Sequence, residues 1–88
     1  MEKEEIKNYL AQQICDSMYM DREDLDDETL FSDFGLESTT LIKIILKVNE
    51  KYDCNLEVKE LLTYQTLKSA SEFIYTTLVK TNPKIQTI

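Results

Sequence analysis

Glycine occurs once in this chain, at Gly35, and proline once, at Pro83. No other sequence feature narrows the fold as much. Sheet proteins reverse direction every 8–12 residues or so. Their tight turns draw on residues that accept positive φ or preset a bend. One glycine and one proline in 88 residues supply too few such turns for an all-β fold. Disorder is excluded too, because 42% of the residues are hydrophobic. The length suits one small domain. The expectation is an all-α domain.

Helical spacing supports this. From Glu5 to about Met18, residues Ile6, Tyr9, Leu10 and Ile14 share one face, with Glu2, Glu4 and Glu5 where negative charge suits a helix dipole. From Ser38 to Tyr52 the signal is strongest: Leu41, Ile45, Val48 and Tyr52 form a core stripe, flanked by Ile44. Ile42 and Leu46 lie well round from that stripe, so either a neighbouring helix covers them or they belong to a docking surface. Lys43, Lys47 and Lys51 line the polar side. Asp53-Cys54-Asn55 reads as a break, and residues 57–62 as a short helix with Val58, Leu61 and Leu62 apolar. A last helix starts near Thr66, a suitable N-cap, and carries Leu67, Ala70, Ile74 and Leu78 inward, with Phe73 beside them. Asn82-Pro83 stops it. The predicted architecture is a small four-helix bundle, three longer helices and one short, over residues 1–80, with a loose tail at 81–88.

Residues 19–37 show no sustained period and read as a long loop between the first two helices. Loops of this length in compact domains are commonly functional. Leu25, Leu30, Phe31, Phe34 and Leu36 are its expected apolar anchors. Its acids invite a calcium-loop reading, which fails on spacing. Counting from Asp21, position 5 is Leu25, position 6 is Asp26 rather than glycine, and position 12 is Ser32 rather than glutamate. A solvated acidic surface is the simpler reading.

Charge is uneven. Residues 1–44 hold 12 acids against 4 bases, whereas residues 45–88 hold 5 against 6. The net charge of −7 argues against nucleic acid and anionic membranes as partners. The chain has no histidine, so a serine–histidine pair is excluded, and a zinc site would need carboxylates with two thiols, Cys15 and Cys54, 39 positions apart, which argues against one. Two free, half-buried thiols in a reducing compartment are expected. The first residues are charged and no run approaches about 18 apolar residues. These features predict a soluble, cytoplasmic, non-catalytic monomer with no metal and no membrane insertion.

One short run carries chemistry: Asp33-Phe34-Gly35-Leu36-Glu37-Ser38, directly before the strongest helix. Gly35 supplies a positive-φ turn, and Phe34 and Leu36 hold it in the core. A serine at a helix start is ordinarily an N-cap. It is also a hydroxyl that another enzyme can reach, and a phosphodiester formed there would face unpaired N–H groups and the positive dipole end.

This run, followed by an amphipathic helix ending in Glu50-Lys51-Tyr52-Asp53, resembles the phosphopantetheine attachment region of acyl carrier proteins. The resemblance extends over about residues 4–79, in helix order as well as motif. It implies that Ser38 carries 4′-phosphopantetheine, installed from coenzyme A by a phosphopantetheinyl transferase. It also implies a shuttle that holds acyl groups as thioesters for acyl-transferring or condensing enzymes, in fatty acid, polyketide or related biosynthesis. Partner docking is then expected at Asp33, Leu36, Glu37, Thr39, Ile42, Lys43 and Leu46. The chain departs from the family pattern at Glu37, where aspartate is usual, and at Thr39, where leucine or methionine is common. Its serine-started helix carries Thr40, Lys43, Lys47 and Asn49 where fatty acid carriers are rich in acids. Those departures favour a specialised pathway such as polyketide assembly. The alternatives are an aminoacyl or peptidyl carrier of the nonribosomal type, an unmodified helical adaptor binding through Ile42 and Leu46, and a small divalent-ion-responsive protein.

Overall fold

A computed structural model describes residues 2–81. Four α-helices carry the chain: α1 (Lys3–Met18), α2 (Ser38–Tyr52), α3 (Val58–Thr63) and α4 (Leu67–Thr81). No strand occurs among the described residues. The Asn82-Pro83 stop lies outside them, as does the tail expected over 81–88 apart from the helical backbone at Thr81.

Each helix buries the face its spacing predicts. Ile6, Leu10 and Ile14 of α1 meet Leu41, Ile44, Ile45, Val48 and Tyr52 of α2, Leu61 of α3, and Leu67, Ala70, Ile74 and Leu78 of α4 in one core. Tyr9 is only half-buried, and its ring meets that of Tyr52 edge-on at 5.8 Å. The Lys51 ammonium lies over both rings, 4.9 Å from Tyr9 and 5.7 Å from Tyr52. This removes Lys51 from the free polar face on which its spacing places it.

The loop between α1 and α2 is not featureless. It contains two 3₁₀ turns, at Arg22–Asp24 and Phe31–Phe34. Leu25, Phe31 and Leu36 are buried as anchors and Phe34 packs against the core, but Leu30 is exposed and anchors nothing. Backbone bonds tie the loop to the far side of the bundle: Phe31 N–H donates to the Gln65 carbonyl at 2.7 Å, and Lys68 N–H to the Asp27 carbonyl at 3.0 Å. The Asp27 carboxylate pairs with Lys7 of α1 and with Arg22 at 3.5 Å. These ties hold the segment that leads into Ser38.

Candidate functional site

The approach to α2 is set by local geometry. Phe31–Phe34 winds as a 3₁₀ turn, and Gly35 ends it with φ 80° and ψ 20°. That left-handed conformation is costly for any residue with a Cβ. A Cβ built at Gly35 would meet nothing within 4 Å, so backbone torsion, not lack of space, selects glycine here. The chain then turns inward at Leu36, whose N–H donates to the Phe31 carbonyl at 3.0 Å and whose side chain is 6% exposed. Leu36 therefore serves the turn. Its side chain, expected from the sequence to take part in docking, is turned into the core.

Ser38 is not the N-cap. Glu37 holds that position with extended backbone (φ −88°, ψ 162°), and its carbonyl accepts the first helical bond, from Leu41 N–H at 2.9 Å. Ser38 is instead the first helical residue. Its side chain is exposed, and its hydroxyl has no hydrogen-bond partner among the described residues. The N–H groups of Ser38, Thr39 and Thr40 precede the first helical bond, so they have no acceptor within α2. Displaced from the cap by one position, the serine is released from structural duty.

The other expected docking residues fall around it. Asp33, Glu37, Thr39, Ile42, Lys43 and Leu46 are all exposed. Ile42 is 44% and Leu46 61% exposed, so none of the described helices covers them. Two surface hollows formed by the described residues lie away from Ser38. One lies between α1 and α4 near Lys3, Lys7, Asp27 and Glu72, the other beside Tyr64 and Phe73. Ser38 is exposed at the surface.

The loop acids have their own tasks. The Asp26 carboxylate accepts from Glu28 N–H at 3.1 Å and from the Thr29 hydroxyl at 2.9 Å, a local turn. Asp27 is committed to Lys7 and Arg22, and the Lys7 contact holds its carboxyl below the ordinary range. Cys15 and Cys54 are free, and burial pushes both thiols up.

One positioning residue escaped sequence reasoning. Asn49 donates from Nδ2 to the Leu56 carbonyl at 3.1 Å and accepts at Oδ1 from Leu56 N–H at 2.8 Å. A side-chain amide thus replaces a strand partner and pins the link from α2 to α3. The hint in sequence was the one side-chain amide of α2, seven residues before Leu56.

Comparison with known proteins converges on one family. The model of the family described as "Phosphopantetheine attachment site" matches residues 8–74, a span that includes Ser38 and all of α2 and α3. The polyketide synthase PksL of Bacillus subtilis (strain 168) is 28% identical over 78 residues, 80% of this chain. The chain spans 2% of the length of that relative. Among solved structures, the HMG-ACPI domain from the CurA module of Lyngbya majuscula, determined by NMR, matches with a TM-score of 0.80 and 29% identity. That match covers 91% of this chain and 81% of the other. Members of the matched family carry covalently attached 4′-phosphopantetheine. With the family model spanning most of its length and the helical fold in agreement, the chain belongs to the phosphopantetheine attachment site family of carrier domains.

Proposed function

We propose that Ser38 is the attachment residue and that the protein is an acyl carrier serving polyketide-type assembly. The observation that carries this reading is the Ser38 hydroxyl, exposed, without a hydrogen-bond partner among the described residues, and carried by the first residue of α2. Such a hydroxyl fits the group to be attached. Its proton is accessible to a transferase base, and Oγ can displace the nucleotide portion of coenzyme A at phosphorus. The resulting phosphodiester anion faces the positive end of the helix dipole. The attached arm supplies a thiol on which acyl groups are held as thioesters. The chain itself contributes presentation: the Gly35 turn and buried Leu36 fix where Ser38 points, and the open surface admits partner enzymes.

The polyketide assignment draws on the two relatives, one a polyketide synthase and one a carrier domain of a biosynthetic module. It draws as well on α2, where Lys43 and Lys47 replace the acids that fatty acid carriers place there. Partners are then a phosphopantetheinyl transferase and acyl-transferring or condensing enzymes.

The test is direct. The purified protein is incubated with coenzyme A and a broad-specificity phosphopantetheinyl transferase, and intact mass is measured. The expected result is a gain of one phosphopantetheine on wild type and none on Ser38→Ala. No gain with several transferases, or a gain that persists in Ser38→Ala, overturns the assignment.

A further inference from the structure

Below Ser38, α2 presents two parallel rows to solvent. Ser38, Ile42 and Leu46 follow one another at one-turn spacing, so the apolar row extends about 12 Å from the hydroxyl. Thr39, Lys43 and Lys47 form the adjacent row, and all of these side chains are exposed. Lys51 would continue the second row, but its ammonium is engaged over Tyr9 and Tyr52. Lys43 and Lys47 have no ion pair among the described residues, unlike Lys3, Lys7, Arg22 and Lys59. Glu50 is the only acid between Ser38 and Asp53. The chain as a whole carries a net charge of −7, so this strip runs against the charge of the molecule.

An unpaired cationic row beside an exposed apolar row is complementary to one kind of surface. We infer that α2 docks a protein partner whose surface offers an apolar socket for Ile42 and Leu46, bordered by carboxylates that meet Lys43 and Lys47. The inference rests on Ser38 being the attachment point, because that makes the strip the surface beside the presented arm. Placing the apolar contact on the row headed by Ser38 aims the arm along the docked interface. The lysines then act on the choice of partner: acidic surfaces are steered in, while a basic patch is repelled by Lys43 and Lys47. The acids Asp33 and Glu37, on the other side of Ser38, carry the opposite sign. The attachment point therefore marks a reversal of surface charge.

The experiment uses the unmodified protein and two synthetic amphipathic helical peptides with the same apolar face, one bearing glutamates and the other lysines. Backbone amide shifts are followed by NMR at low and high salt. The glutamate peptide is expected to move the amides of Thr39 to Lys47, and to do so more weakly at high salt. In K43E/K47E its affinity should fall about three- to tenfold and the lysine peptide should gain at the same residues. Ile42→Ala with Leu46→Ala should weaken whichever peptide binds there. These side chains are exposed, so the variants keep the fold. Shifts confined to other elements, tighter binding of the lysine peptide at α2 of wild type, or an unchanged preference in K43E/K47E would each overturn the inference. Ser38 modification is not required for the titration. Failure of attachment and failure of docking are therefore separate results.

Discussion

At the scale of single residues, the site depends on torsion and on hydrogen bonds more than on burial. Gly35 is needed for its φ of 80°, with open space where a side chain would project. Gly35→Ala should therefore cost about 1 kcal/mol by backbone strain alone, read from urea denaturation. Ser38→Ala should leave stability within about 0.5 kcal/mol of wild type, because the hydroxyl makes no bond among the described residues and is not the cap. The contrast is Asn49. Its loss removes both side-chain bonds to the Leu56 backbone, and Asn49→Ala should destabilise by about 1–3 kcal/mol in the same measurement. Both thiols are held above their ordinary range by burial, so little thiolate exists at neutral pH. Alkylation of Cys15, 7% exposed, should be slow in the native protein and fast once it is unfolded, followed by mass.

The helices divide into those legible from spacing and those shaped by contact. The boundaries of α2 at Ser38 and Tyr52 and the inward residues of α4 follow from period alone, as does the break at Asp53, which adopts the left-handed conformation with φ 54°. Thr66 caps α4 as its residue type suggests, with Oγ1 accepting from Ser69 N–H at 3.1 Å. Less legible was which face of α2 stays uncovered. Spacing showed an apolar arc wider than one contact needs, yet only the placement of the other helices shows that Ile42 and Leu46 meet solvent. Similarly, the loop's hydrophobic residues look alike in sequence. Phe31 is 1% exposed while Leu30, its neighbour, is 45% exposed, because the 3₁₀ turn points one inward and the other out.

Across the whole molecule, the long loop is fastened by a small polar network between α1, the loop and α4. Lys7 holds the Asp27 carboxyl below its ordinary range, and Asp27 in turn raises Lys7. A depressed carboxylate contributes stability above its unfolded pKa and loses it as pH falls through the folded value. The contribution should therefore be intact at neutral pH and disappear below about pH 4. Lys7, being raised, keeps its share until pH rises past its unfolded value of about 10.4. Asp27→Asn should accordingly be less stable than wild type at pH 7, with the gap closing below about pH 4, as measured by thermal unfolding across pH. No described helix is long and apolar enough to cross a membrane.

By itself the sequence determined that the fold is helical, where the helices lie, and that the turn before Ser38 requires glycine. These are local matters, decided by the period of apolar residues and by the torsions each residue type accepts. It also determined the resemblance to carrier domains, through a motif standing before an amphipathic helix. Only the tertiary structure decided that Leu36 is interior, and that Lys51 is engaged with two rings while Lys43 and Lys47 are free of ion pairs among the described residues. Each of those facts depends on which element lies opposite a given side chain. That placement arises from packing among residues distant along the chain, and no spacing within one segment encodes it.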